Sequence, residues 1–148
     1  MFHSIRSRVR AIDELCRDCQ ACALACSLLH EGQCHLGLAR LRVVKRLDSG
    51  KITIRICQHC EEPACLDACP TDAMWLDERG VVILDDANCI RCGSCAAACP
   101  YDAIFYCEAE DRYLKCDLCA GRESGPLCTT ICPVGALVLT DGGRKEET

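Results

Sequence analysis

Sixteen of the chain's 18 cysteines fall into four groups of related spacing. Cys16, Cys19, Cys22 and Cys26 follow C-x2-C-x2-C-x3-C. Cys57, Cys60, Cys65 and Cys69 follow C-x2-C-x4-C-x3-C, with Pro70 next. Cys89, Cys92, Cys95 and Cys99 repeat the first spacing and precede Pro100. Cys116, Cys119, Cys128 and Cys132 follow C-x2-C-x8-C-x3-C and precede Pro133. Thiolates are soft ligands, suited to iron–sulfur clusters and zinc. Two residues between cysteines form a tight turn that aims successive sulfurs at different iron corners of one cubane. In the third group Gly93, Ser94, Ala96, Ala97 and Ala98 are small, so the backbone can approach and point its N–H groups at sulfur. The fourth cysteine of a group lies too far along to complete the same cubane. It is expected to start a short helical segment and to reach a second cluster, and the proline then redirects the chain.

Zinc and disulfides are the competing readings of so much cysteine. Four-thiolate zinc sites usually use two well-separated C-x2-C pairs; groups two and four would pass for that alone, groups one and three would not. Disulfide scaffolds belong to oxidising compartments. The opening MFHSIRSRVRAIDELC has arginines but neither an apolar signal core nor a twin-arginine pair, and no stretch approaches the ~18 apolar residues of a membrane span. The expectation is a soluble, cytoplasmic protein whose cysteines bind metal. The formal charge of −5 leaves no basic footprint for nucleic acid. Aromatic residues make up only 4% of the chain, so the core is thin and metal is expected to staple it.

The elements that must position the cysteines repeat with them. CPTDAMWL (69–76) matches CPYDAIFY (99–106) and, more weakly, CPVGALVL (132–139). Each is followed by a short apolar strand: Ala73–Leu76, Ala103–Tyr106 and Ala136–Leu139. The first returns as Val81–Leu84 and the second as Tyr113–Lys115. Leu38–Leu47 and Lys51–Ile56 flank Asp48-Ser49-Gly50, a hairpin signal. Helical pieces are expected at Ala21–His30, Ala64–Cys69 and Ala96–Cys99. The fold class is α+β, with short helices and β-hairpins forming two ferredoxin-like units of two clusters each. Residues 57–107 form the inner unit, 1–56 with 108–140 the outer, and 141–148 a charged tail.

Group three is the bacterial ferredoxin run that binds [4Fe–4S] clusters. With CQHCEEPACLDACP (57–70) and KCDLC…CTTICP (115–133), the chain from about residue 11 to 140 resembles four-cluster ferredoxin-type subunits. Those subunits serve molybdenum and tungsten oxidoreductases and related formate dehydrogenase, hydrogenase and carbon monoxide dehydrogenase systems. CALACSLLHEGQCHLGLARLRV (22–43), through Ala25-Cys26-Ser27, His30, Gly32 and Arg40, is similar to the subunits accompanying tungsten enzymes of the aldehyde ferredoxin oxidoreductase type. Two departures stand out: Asp18 occupies a position where relatives often have glycine, and no short strand-proline lead precedes Cys16. The swap rule of two-cluster ferredoxins pairs Cys57, Cys60 and Cys65 with Cys99, and Cys89, Cys92 and Cys95 with Cys69. The resemblance implies the same for the outer groups: Cys16, Cys19 and Cys22 with Cys132, and Cys116, Cys119 and Cys128 with Cys26.

No nucleophile–base pair, phosphate loop or dinucleotide fingerprint accompanies the cysteines. The expected function is single-electron relay through four [4Fe–4S] clusters, without catalysis of its own. The partners implied are a tungsten or molybdenum pterin subunit, best an aldehyde oxidoreductase, and a flavin subunit or ferredoxin. A freely diffusing polyferredoxin is the alternative, and head-to-tail stacking into filaments is permitted by the sequence. Arg17, Arg91 and Lys115 adjoin ligands and either help set potentials or stand on a solvated surface. His59 is expected to hydrogen-bond locally. His30, four residues after Cys26, either tunes that cluster or makes a plain polar contact; His3 and His35 carry no signal. Cys34 and Cys107 read as small buried hydrophobes, and Trp75 and Tyr106 as rings packed over clusters.

Overall fold

The computed structural model describes residues 7–140; His3 and the tail at 141–148 lie outside them. The fold mixes short helices with antiparallel strand pairs. Helix α1, Ala21–Glu31, is rich in Ala and Leu, which favour helix. It stops at Gly32, whose left-handed φ of 70° lets its N–H bond the Leu28 carbonyl. Helices α2 (Ala64–Ala68), α3 (Ser94–Ala98) and α4 (Leu127–Ile131) are single turns. Each ends at the fourth cysteine of its group: Cys69, Cys99 or Cys132, with ψ of 117–119°. The expectation that this cysteine starts the helical turn is thereby corrected. The following proline clashes with a helical residue before it and pushes that residue into extended backbone.

The eight strands form four separate antiparallel pairs. Strands β2 (Arg42–Lys45) and β3 (Ile52–Arg55) make the hairpin around Asp48-Ser49-Gly50. The first of these strands is shorter than its expected span from Leu38, because Leu36–Leu38 form a 3₁₀ turn. Strands β4 (Met74–Leu76) and β5 (Val82–Leu84) pair, as do β6 (Ile104–Cys107) and β7 (Arg112–Lys115). Strand β8, Leu137–Thr140, pairs with β1, Arg8–Ala11, a strand that the reading of the N-terminus lacked. Four residues with three charged or small side chains carry little strand signal; the pairing partner supplies it. Val9 is fully buried, and α1 lies against α4, so the two ends of the chain close on each other.

One core cluster joins residues from all parts of the chain: Val9, Leu41, Ile54, Ile56, Val81, Leu118 and Leu137, with Cys22, Cys26, Cys57, Cys116 and Cys128 among them. A second holds Met74, Val82, Cys95 and Ile104. Cys99 packs against both. Met74 points in, so by strand alternation Trp75 points out and is 47% exposed. Tyr106, two residues beyond the buried Ile104, runs past the core with its hydroxyl on Asp111 and is 46% exposed, so neither ring covers the thiols as expected. Cys107 is buried with Leu38 and Leu114, as expected, but Cys34 is exposed. It follows the Gly32 stop in a loop, away from either core. Among the described residues no helix is long and apolar enough to cross a membrane.

Cysteines form much of what is buried, so the apolar side chains alone cannot hold this shape. Removing bound metal by anaerobic acid or chelator treatment is expected to abolish the cooperative thermal transition seen by circular dichroism. A cooperative melt of metal-free chain would contradict this.

Candidate metal centres

Each C-x2-C turn is built the same way. The residue before the second cysteine is left-handed in all four groups: Asp18, His59, Arg91 and Leu118 have φ of 57°, 44°, 59° and 56°. Its N–H then points back at the first sulfur: His59 to Cys57, Arg91 to Cys89 and Leu118 to Cys116, each at 3.4 Å. None is glycine, and such backbone costs about 1–3 kcal/mol per residue. The strain persists because the turn must present N–H groups to negatively charged sulfur. Asp18 fits the pattern without glycine; the Gln20 amide donates to its carboxylate at 2.8 Å, and Asp tolerates this conformation better than most residues. Two further N–H groups reach sulfur, Arg40 to Cys26 and Ala136 to Cys132, both at 3.3 Å. In the third group Gly93 is required: a Cβ there would lie 2.7 Å from the Tyr113 hydroxyl.

The third and fourth cysteines of every group stand one helical turn apart, on α1, α2, α3 or α4. Tertiary packing then sorts the sulfurs across groups. Cys16, Cys19 and Cys22 line one small pocket together with Cys132. Cys89, Cys92 and Cys95 line another together with Cys69. Cys60 and Cys65 feel the charges of Cys57 and Cys99. Cys128 feels Cys119 and Cys26, and Cys116 feels Cys128. Two sets of four sulfurs are thus gathered, each with three from one group and one from another. The remaining eight lie near one another: Cys116 feels Cys57 as well as Cys128, Cys128 feels Cys22 as well as Cys26, and Cys99 packs against both cores.

Burial raises six of these thiols, Cys22, Cys60, Cys65, Cys95, Cys116 and Cys128. Cys22 and Cys65 are pushed up to about 11 and Cys128 to about 12, and the fully enclosed Cys116 rises well above the ordinary thiol range. The exposed Cys92 goes the other way, because the Ser94 hydroxyl 3.3 Å away favours its thiolate. Thiols held so high become ligands only by giving their protons up to metal. Four soft donors lining one pocket, three of them from a ferredoxin-type run, suit an iron–sulfur cluster. A single zinc would draw its sulfurs to about 2.3 Å from one point, and among the described residues no three His, Cys, Asp or Glu side chains could hold one ion.

A polar shell surrounds Cys26. His30 donates from Nδ1 to the Cys26 carbonyl at 2.9 Å and stands 3.7 Å from its sulfur. Its Nε2 donates to Asp117 at 3.3 Å, and Asp117 also pairs with Arg40 at 3.2 Å. The Asp117 bond, helped by Cys26, raises His30 to about 10. Burial opposes ionisation of Asp117, but His30 and Arg40 together hold it down to about 2. His30 thus makes both contacts weighed for it, the sulfur and a polar neighbour. Asp117 escaped the sequence reading; its place between Cys116 and Cys119 was the only signal. Tyr113 was missed too: it lines the cavity of Cys89 in the position expected of Trp75 or Tyr106.

Of the three basic residues beside ligands, Arg17 and Arg91 bond at exposed or half-exposed positions. Lys115 is buried and donates to the carbonyls of Val82 and Cys116. His59 is buried as well. Its partner is distant, not local: Nδ1 accepts from the Val82 N–H at 3.1 Å. Burial, then the Lys115 charge, lowers its pKa to about 3, so the ring is neutral.

Comparison with known proteins identifies the cysteine-rich segments as 4Fe–4S domains. Residues 49–142 match the 4Fe–4S dicluster domain family, and residues 13–28 match a 4Fe–4S binding domain. The thiosulfate reductase electron transfer subunit PhsB of Salmonella typhi is 35% identical, with 100% of this chain and 81% of the relative aligned. The polyferredoxin-like subunit of the aliphatic sulfonate oxidoreductase of Pyrococcus furiosus is 36% identical, over 79% of this chain and 66% of the relative. Among solved structures, a chain of the active site complex BamBC of benzoyl coenzyme A reductase, as isolated, superimposes with a TM-score of 0.57. It is 26% identical, and the match covers 97% of this chain and 81% of that one. Sixteen grouped cysteines in these domains make the cofactor complement four [4Fe–4S] clusters. The chain belongs to the 4Fe–4S ferredoxin-type electron-transfer subunits of oxidoreductases.

Proposed function

We propose that this chain is the internal wire of a cytoplasmic catalytic complex, relaying single electrons through four clusters in a row. In this reading Cys89, Cys92, Cys95 and Cys69 hold one terminal cluster, and Cys16, Cys19, Cys22 and Cys132 the other. Cys57, Cys60, Cys65 and Cys99 hold one middle cluster; Cys116, Cys119, Cys128 and Cys26 hold the second. Residues 57–107 then form an inner ferredoxin-like unit, and the flanking segments an outer one. The observation that carries the proposal is the graded exposure of the row. Each terminal set contains an exposed cysteine, Cys19 or Cys92, whereas no cysteine of the middle sets is exposed: Cys26, Cys57, Cys116 and Cys128 are buried and Cys60, Cys65, Cys99 and Cys119 half-buried. Electrons can enter and leave at the more exposed ends, and the lower exposure of the middle helps hold a potential.

The catalytic partner we propose is a molybdenum or tungsten pterin subunit, with a flavin subunit or ferredoxin at the other end. The aldehyde-oxidising tungsten class is supported by the Cys22–Val43 segment, in which His30 and Arg40 converge on Asp117. Reduction of a sulfur oxyanion is the competing assignment, supported by a full-length match to a thiosulfate reductase subunit.

Anaerobic purification of the native protein is expected to recover it with a large second polypeptide containing tungsten or molybdenum. Elution as a lone small protein would favour a diffusing polyferredoxin instead. Isolated holo-chain is expected to contain about sixteen irons. Cys128→Ser is expected to lower that content by about four by colorimetric assay, and Cys34→Ser to leave it unchanged. Brief treatment of the holo-chain with iodoacetamide should label Cys34 alone by mass spectrometry; rapid labelling of any grouped cysteine would contradict its place as a ligand.

A further inference from the structure

Lys115 is a lysine in an unusual place. It closes β7, opposite Ile104, and is only 4% exposed. Among the described residues no carboxylate oxygen lies within 4.0 Å of it. Its Nζ donates to the Cys116 carbonyl at 2.8 Å and to the Val82 carbonyl at 2.5 Å. The Val82 residue is held from its other side by His59, inside the Cys57–Cys60 turn. One buried ammonium therefore ties together the chain segments carrying the two middle thiol sets. Its charge is felt at Cys60 and Cys65 of one set and at Cys116 of the other, favouring thiolate at each.

A buried cation without a counter-ion costs several kcal/mol, and two neutral carbonyls offset only part of that. The rest requires negative charge close by. A [4Fe–4S] core with four thiolates carries roughly −2 before it takes up an electron, and the middle sets flank Lys115. His59 adds a second donor to the same seam. Its Nδ1 is occupied as an acceptor, so the proton of the neutral ring is on Nε2, and that buried N–H has no partner among the described residues.

We propose that Lys115 sets the potential of the middle pair: its fixed positive charge, buried between the two middle thiol sets, stabilises the one electron each receives. This deepens the wire reading and rests on its assignment of ligands. In passage, one electron arrives from one neighbouring set and one leaves to the next; Lys115 gains and loses no proton. Without its charge the buried middle of the row would be a barrier between two more exposed ends.

The test is EPR-monitored redox titration of the anaerobically purified holo-chain. Iron content and four reducible clusters in the unmodified chain are established first; their absence would overturn the wire reading and this inference with it. Lys115→Met keeps the length and removes the charge. It is expected to lower the midpoint of at least one middle cluster by the equivalent of a tenfold loss in reduction equilibrium, ~59 mV for one electron, and to leave the terminal pair unchanged. Lys115→Arg is expected to stay near the unmodified values. Unchanged potentials in fully loaded Lys115→Met would overturn the proposal while leaving the wire intact. Loss of iron in both Lys115→Met and Lys115→Gln, but not in Lys115→Arg, would make the residue a structural staple and equally overturn it.

Discussion

Cysteines of different groups meet in this protein: Cys69 joins Cys89, Cys92 and Cys95 in one pocket, and Cys132 joins Cys16, Cys19 and Cys22 in another. In each, three sulfurs come from one tight turn and the helical turn after it, and the fourth follows a helix elsewhere in the chain. This exchange is the constraint on which the other features depend. It draws α1 against α4 and α2 against α3, brings Cys132 to Cys16 across most of the chain, and makes thiols part of the core. Strands are only three or four residues long and pair in twos, an arrangement marginal in isolation. Their work is to return the chain from one cysteine turn to the next.

Concentrating sulfur in this way creates an electrostatic problem, and the fold meets it at short range. Backbone N–H groups aimed at Cys26, Cys57, Cys89, Cys116 and Cys132 are the first response. They require left-handed turns, so strain is spread over Asp18, His59, Arg91 and Leu118. Side chains are the second: half-buried His30 with Asp117 and Arg40 beside Cys26, and buried Lys115 with His59 around Val82. Both responses act in a medium of low dielectric, where a fixed dipole or charge has more influence than at the surface.

The site was more legible in the sequence than the fold around it. Spacing alone separated Cys34 and Cys107 from the other cysteines, and the repeated Cys-Pro segments announced the strands at Met74, Ile104 and Leu137. Strand β1 was missed because Arg8–Ala11 has no periodicity of its own and is created by pairing with β8. Trp75 was misplaced because an apolar strand does not reveal its own phase, and the neighbouring Met74 took the inner position; Tyr106 was misplaced because its strand runs past the core, where its ring meets Tyr113 and its hydroxyl Asp111. Cys34 was expected inside on the average behaviour of cysteine, which says nothing of a loop beyond a helix stop.

The sequence by itself determined the ligand type, the local turns and the number of thiol groups, since those depend on spacing over a few residues, within which chain geometry leaves little choice. Only the tertiary structure decided which residues surround each group. Asp117 beside His30, Tyr113 beside Gly93, and Lys115 across from His59 are contacts between residues 20 to 87 positions apart or joined through a third residue. Such contacts follow from how helices and hairpins pack, and packing is set by the whole chain at once.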